Sequence, residues 1–401
     1  MTWVDVPDGS DFPVENLPYG AFSTGGGAPR IGVAIGDHVL DLAPVLDDPV
    51  FAEPVLNRFV DQGRPRWREV RTRITELLTD DRHRSAVAPH LMSRESVTLH
   101  LPIAVGDYVD YYASEDHASN LGRMFRPDQA ALTPNWKWMP IGYHGRSGTI
   151  VVSGTPVVRP SGQRKAPADP APSCGPSRRL DIEAELGFVV GPGTRLGEPV
   201  PLERTPEHLF GVVLVNDWSS RDLQAWEYVP LGPYLGKSFA TSVSPWVVPF
   251  DALDEARIAP PQRDPAPLPY LSGDADRGLD IALQVRLNDE VVSRPPYGRM
   301  YWTPEQMLAH MTVNGASLRT GDFFASGTIS GPDPDQRGSF IEMSWNGTEP
   351  LKLDDGSTRT FLEDGDTVTI TARTRGRGGV EIGFGEVTGT IAPAVDLNGG
   401  S

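Results

Sequence analysis

The sequence predicts a mainly β protein with some helix, divided into more than one domain. Three observations lead there. The chain has 401 residues, too long for one small module at about 150 residues per domain. Apolar residues make up 39%, enough to bury a sizeable core and to argue against wholesale disorder. The 42 glycines and 39 prolines exceed average usage, which disfavours a helical bundle and favours short strands joined by turns.

The first hundred residues read as a small unit, 1–100, followed by a larger one, 101–395. Ile31–Leu42 has the pattern of a hairpin, with Gly36-Asp37 at its turn. Trp67, Val70, Ile74, Leu77 and Leu78 recur at helical spacing, which predicts an amphipathic helix over about 65–79. Thr149–Val158 reads as strand, glycine turn, strand. Arg159–Arg178 carries five prolines and is expected to be loop. Leu180–Val190 and Leu209–Val215 read as buried strands. A short helix is expected over Ser219–Tyr228, with Ser219 as N-cap and Asp222 three residues on. Ala259–Gly278 is a second proline-rich loop. Leu279–Leu287 alternates as a strand, and Pro304–Met311 suggests a helix. Strands are expected again at Phe340–Trp345, Thr367–Arg373 and Val380–Ile391, and Leu397–Ser401 is expected to fray.

Composition excludes several function classes. The formal net charge of −17 repels phosphate backbones, so nucleic acid is a poor partner. A single cysteine, Cys174, rules out an intramolecular disulfide framework and a four-cysteine metal site. No apolar run approaches the ~18 residues of a membrane span, and the N-terminus lacks a signal-peptide pattern. A cytoplasmic enzyme is therefore expected. There is no serine-hydrolase elbow and no nucleotide-binding glycine pattern.

Chemistry gathers in three places. In Asp181-Ile182-Glu183-Ala184-Glu185 the acidic residues alternate with apolar ones, so a strand would put them on one face. Two such glutamates sit roughly 7 Å apart and repel unless a cation joins them. The run on into Phe188-Val189-Val190 points to burial. Next, the apolar strand Val212–Val215 leads to Asp217, at a strand end of the kind that carries active-site groups. Arg221, Gln224 and Tyr228 follow at i, i+3 and i+7, which puts a cation, an amide and a phenol on one helix face. Finally, Asp110, Tyr112 and His117 lead into a helix that Ser114 could cap, with Arg126 beyond. Oxygen ligands without cysteine or paired histidine suit hard ions such as Ca2+ or Mg2+. Lys237 and Arg221 could offset surplus negative charge there.

Taken together, DYYASEDHASN, PNWKWMPIGYHGRSGTIVVSG, RRLDIEAELGFVVGPG, VNDWSSRDLQAWEYVPLGPYLGKSF and FFASGTISG with FIEMSW closely resemble the fumarylacetoacetase family. The strings run in order from about residue 100 to 390. The resemblance implies a small N-terminal SH3-like β-barrel and a larger C-terminal mixed β-roll, assembled as a homodimer. It implies hydrolysis of a carbon–carbon bond in a small diketo-diacid, 4-fumarylacetoacetate, to fumarate and acetoacetate, in tyrosine and phenylalanine catabolism. By matching position it implies Asp110, Glu183, Glu185 and Asp217 as ligands of calcium or magnesium. It makes His117 the base and Glu342 the carboxylate that orients it, although Glu342 read locally is a solvent-facing strand residue. Tyr112, Arg126, Tyr143, Gln224, Tyr228 and Thr328 match substrate contacts. Arg221 and Lys237 match charged groups near the leaving fragment. Lys237 and Thr241, with Asp217, match a second magnesium position. Glu115-Asp116, just before His117, are more acidic than the family pattern leads one to expect. A relative acting on another dicarbonyl acid, or a non-catalytic binder on the same scaffold, stays open.

Overall fold

The computed structural model describes residues 2–275 and 277–396. The expected fraying of Leu397–Ser401 lies outside them. The architecture is mainly β with short helices, arranged as three larger sheets.

The first sheet is built from the N-terminal hundred residues. Its five strands run in the order Leu91–Ser93, His38–Asp41, Arg30–Ile35, Tyr19–Ser23 and Thr98–His100, all antiparallel. The expected hairpin is there, and Gly36 at its turn has φ +52, a left-handed conformation that costs glycine little. The Arg64–Thr79 helix buries Trp67, Val70, Ile74, Leu77 and Leu78, the stripe its periodicity marked. Trp67 meets Phe210 edge-on, with ring centroids 5.1 Å apart, so this helix packs directly on the central sheet.

The central sheet has eight strands. Its main path runs Gly142–His144, Tyr108–Tyr111, Phe323–Ala325, Ala184–Val190, Leu209–Asp217, Thr241–Val243 and Ile150–Val152, and Val248–Pro249 also pairs with Leu209–Asp217. Two of the pairings, Phe323–Ala325 with Tyr108–Tyr111 and Thr241–Val243 with Ile150–Val152, are parallel. The continuous apolar run of Leu209–Asp217 has a simple cause. Its side chains alternate between two cores: Val213 and Val215 join the N-terminal helix side, whereas Val212 and Leu214 join the larger core.

That larger core is closed by a third sheet of five strands, in the order Glu290–Ser293, Ile281–Leu287, Thr367–Arg375, Glu381–Ala392 and Val157–Val158. Ile281–Leu287 alternates buried and open positions, as its sequence predicts. The Pro304–Thr312 helix starts with a capping box between Thr303 and Gln306. Among the described residues no helix is long and apolar enough to cross a membrane.

Three expectations need correction. Phe340–Met343 is a short helix, not a strand. Its first amides are capped by Asp181, which donates nothing to the local sequence pattern: Phe340 N lies 2.6 Å from Asp181 Oδ1 and Ile341 N lies 3.0 Å from Oδ2. The helix after Asp217 starts at Arg221, because Ser219–Ser220 first pair with Leu180–Asp181. The proline-rich 159–178 segment contains a hairpin of Ser161–Arg164 with Ser173–Pro176; its prolines fall in the tip or at strand ends, where no ladder amide is lost. The two strands expected in Thr149–Val158 are present, at Ile150–Val152 and Val157–Val158, and they join different sheets.

Candidate active site

Three neighbouring regions of the central sheet deliver one carboxylate each. Asp110 stands on Tyr108–Tyr111, Glu185 on Ala184–Val190 and Asp217 at the end of Leu209–Asp217. All three are buried, and each offers an oxygen within 4.8 Å of the other two. In each, one oxygen is fixed by a donor. Tyr143 Oη donates to Asp110 Oδ2 at 2.7 Å, Gly327 N to Glu185 Oε2 at 3.0 Å, and Thr241 Oγ1 to Asp217 Oδ1 at 2.9 Å. Gly327 has φ +76, and a Cβ there would stand 2.2 Å from Tyr111 O, so glycine is required for its amide to reach Glu185.

Asp110 Oδ1 and Glu185 Oε1 are buried and have no hydrogen-bond partner among the described residues. Burial pushes the Asp110 carboxyl well above the ordinary range, with Asp217 and Glu183 adding repulsion, although Lys237 opposes. Glu185 is raised likewise, first by burial and then by Asp110, Glu183 and Asp217. Burial also raises Asp217. Clustered carboxylates with orphaned oxygens are a donor set suited to a hard divalent cation.

Glu183 stands apart from this trio. The ladder lapses between Asp181 and Ala184, but Asp217 N still donates to Glu183 O at 3.1 Å, so Glu183 and Glu185 keep to one face as their alternation predicts. Lys237 Nζ lies 2.6 Å from Glu183 Oε2, and Arg221 Nη1 lies 2.8 Å from Oε1. Burial alone would raise Glu183, but Lys237 and Arg221 outweigh it and hold its carboxyl below the ordinary value. Lys237 also lies 2.5 Å from Asp217 Oδ2 and 3.8 Å from Asp110 Oδ2, so its ammonium joins Glu183 to the trio. Burial opposes its charge, but these carboxylates hold its pKa above the usual lysine value. Arg221 is also buried; its Nη2 has no partner, while its Nε lies 2.7 Å from Asp181 Oδ2.

The histidine comes from the Glu115–Phe125 helix. Ser114 caps it, accepting from His117 N at 3.2 Å, which places the imidazole in the first turn. His117 Nδ1 lies 2.7 Å from Glu342 Oε2. Glu342 also accepts from Asn120 Nδ2 at 2.9 Å, Ser330 Oγ at 2.9 Å and Ser339 Oγ at 2.7 Å. Burial would raise Glu342, but His117 and these donors outweigh it and lower its pKa. An ionised Glu342 only accepts, so His117 Nδ1 must donate to it. In the neutral imidazole, Nε2 is then the proton acceptor.

A cavity of about 690 Å³ connects these groups. Asp110, Glu183, His117, Arg221 and Lys237 line it, as do the expected contacts Tyr112, Arg126, Tyr143, Gln224, Tyr228 and Thr328. Tyr112 stacks edge-on to His117 with centroids 5.3 Å apart. Gln224 accepts from Arg221 at 3.3 Å, and Arg126 donates to Ala131 O at 2.8 Å. Thr328 Oγ1 is buried without a partner, whereas Tyr228 sits exposed at the rim. His144 and Cys174 are exposed and do not line this cavity. Reading the sequence missed Asn120, Ser330 and Ser339. Asn120 was within reach of it, because it follows His117 at i+3 on one helix face. Ser339 was within reach too, since Ser339-x-x-Glu342 is a helix-start pattern, whereas Ser330 comes from the preceding loop and carries no local signal.

The family model described as fumarylacetoacetate (FAA) hydrolase C-terminal matches residues 108–392, and that described as fumarylacetoacetase N-terminal matches residues 15–102. Fumarylacetoacetase of Homo sapiens is 50% identical, covering 98% of this chain and 99% of the human protein. That of Arabidopsis thaliana is 45% identical, over 98% of each. Among solved structures, a fumarylacetoacetate hydrolase from psychrophilic Exiguobacterium antarcticum superposes with a TM-score of 0.57 at 18% identity, covering 94% of this chain and 99% of that one. A maleylpyruvate hydrolase from Sphingobium sp. SYK-6 gives 0.54 at 17% identity, over 94% of this chain and 100% of that one. These structural likenesses speak to the fold.

Proposed function

This chain belongs to the fumarylacetoacetase family, and from that premise we propose that it hydrolyses 4-fumarylacetoacetate to fumarate and acetoacetate, the last step of tyrosine and phenylalanine catabolism. The observation that carries this reading is the adjacency, around one cavity, of the orphaned carboxylates and the His117–Glu342 pair.

Asp110, Glu185 and Asp217 would hold a divalent ion, with Glu183 as a fourth ligand once its carboxylate turns from Lys237. Calcium or magnesium suits an all-oxygen set. The chemistry such an ion supplies is Lewis-acid polarisation of a substrate carbonyl. A second magnesium would use Asp217, Thr241 and the backbone of Lys237.

His117 Nε2 takes a proton from water as its oxygen adds to the carbonyl beside the fumaryl end. Glu342 fixes the tautomer and stabilises the imidazolium, as the acid of a catalytic triad does. The carbon–carbon bond then breaks, and the leaving acetoacetate carbon accepts a proton that balances the one taken at Nε2. Arg221 Nη2, buried and without a partner, is a ready donor to the developing negative charge. Lys237 offsets charge near the leaving fragment, together with Arg221. Arg126, with Tyr112 and Tyr143, would hold a substrate carboxylate, and Gln224, Tyr228 and Thr328 complete the contacts. In a chain of net charge −17, such local cations are needed to admit a dianion.

Residues 1–100 would form one domain and 101–395 the site-bearing one; the confinement of the first sheet to the first hundred residues supports this division. We further propose a cytoplasmic homodimer, a reading supported by the same family membership. The deciding experiment incubates the protein with the diketone, with and without chelator, following its ultraviolet absorbance and both products. Release of fumarate and acetoacetate, lost on chelation, is expected. Carbon dioxide or an isomer as product would overturn the proposal.

A further inference from the structure

Asp181 is fully buried, and each of its oxygens takes two donors. Oδ1 accepts from Phe340 N at 2.6 Å and Ile182 N at 2.7 Å. Oδ2 accepts from Ile341 N at 3.0 Å and Arg221 Nε at 2.7 Å. Two of these donors open the short helix that carries Glu342. A third belongs to the guanidinium that pairs with Glu183 and leaves Nη2 without a partner. One carboxylate therefore ties the group that orients the base to the cation across the cavity.

We propose that Asp181 is a positioning residue that sets the spacing between the His117–Glu342 pair and Arg221. This rests on the function proposed above. Base and charge-stabilising donor must act on one substrate at once, and a small misplacement of either is costly. The one-turn helix bearing Glu342 and the long Arg221 side chain each have holds of their own, but a shared anchor is needed to fix the spacing between them. Asp181 supplies one, and only a carboxylate can. Asparagine has one acceptor oxygen, so its amide nitrogen would face two donors in either orientation.

The test compares wild type, Asp181→Asn, Arg221→Gln and the double variant for kcat, KM and the pH profile of kcat. Rates are counted per chain that binds a divalent ion. Asp181→Asn is expected to lower kcat by about 100-fold, with a smaller change in KM. It should also shift the pH profile. In its background, Arg221→Gln should cost much less than in wild type, because the link is already cut. A merely structural role would lower the melting temperature but leave kcat per ion-binding chain, the pH profile and the Arg221→Gln penalty as they were; that result would overturn the inference. If Asp181→Asn folds too poorly to assay, Asp181→Glu keeps the charge one methylene further out and is read the same way. A wild-type protein without activity on the diketone sinks the function itself, whereas an active wild type with an unimpaired Asp181→Asn sinks only the positioning role.

Discussion

His117 Nδ1 lies 2.7 Å from Glu342 Oε2, and neither side chain is more than 2% exposed. Four donors converge on that carboxylate, so it cannot rotate away without leaving several of them unpaired in a dry site. Glu342→Gln keeps the shape and removes the charge. The amide nitrogen would then face donors, and the imidazole would lose its preferred tautomer. A fall in kcat of about 10⁴-fold is expected, as for the equivalent change in a catalytic triad, with divalent-ion affinity little altered. Steady-state kinetics and calorimetric ion titration check the two halves. A variant within tenfold of wild type would remove Glu342 from the mechanism.

Glu185→Gln should separate ion binding from folding. Glu185 Oε1 is buried and unpaired, and its carboxyl is raised by burial and by its acidic neighbours. Loss of this ligand should weaken ion affinity at least about tenfold. In chelated protein the same change removes a buried ionisable group from among its like, so the melting temperature should rise. Opposite signs in the two measurements are the expected signature. A lower melting temperature in chelator, with affinity unchanged, would mean that Glu185 is a structural residue.

Much of this was legible from the chain, and the exceptions share a cause. The apolar run before Asp217 and the stripe from Trp67 to Leu78 follow from periodicity alone, because burial acts on every turn or pleat. The helix at Phe340 was not legible, because its cap lies 159 residues upstream. Read locally, Glu342 is a strand residue facing solvent; only resemblance to the family gave it a role. The acidic residues at 181, 183 and 185 were visible as a cluster, but their separate duties depend on which cation or amide reaches each. Tertiary partners decide such things, and periodicity does not encode them.

The pH dependence of stability should differ with and without ion. Asp110 and Glu185 have folded pKa values raised chiefly by burial. Without a cation, the stability they contribute is present below the unfolded carboxyl value of about 4 and is lost as pH rises through their folded values. A divalent ion binds the ionised forms and reverses that loss. The gap in melting temperature between ion-loaded and chelated protein should therefore widen from about pH 5 to about pH 8. Glu342 runs the other way. Its folded value is lowered by His117 and its hydrogen-bond donors against the effect of burial, so its contribution is present above about pH 4.3 and lost as pH falls through the folded value. Scanning fluorimetry across pH checks both; a gap that stays constant would contradict the carboxylate assignment.

Thr328→Val isolates a hydroxyl that the fold itself does not use. Thr328 is 1% exposed, lines the cavity, and its Oγ1 has no partner among the described residues. An unpaired buried hydroxyl costs about 1–3 kcal/mol, so replacing it with a methyl of similar shape should leave stability unchanged or raise it by about 1 kcal/mol. If the hydroxyl is kept for substrate, the same change should raise KM. A hydrogen bond worth about 1–1.5 kcal/mol corresponds to roughly a 5- to 10-fold increase. Should kcat fall along with kcat/KM while KM holds, the contact belongs to the transition state instead. Chemical denaturation gives the first quantity and steady-state kinetics the second. Destabilisation together with an unaltered KM would show that Thr328 serves packing and not recognition.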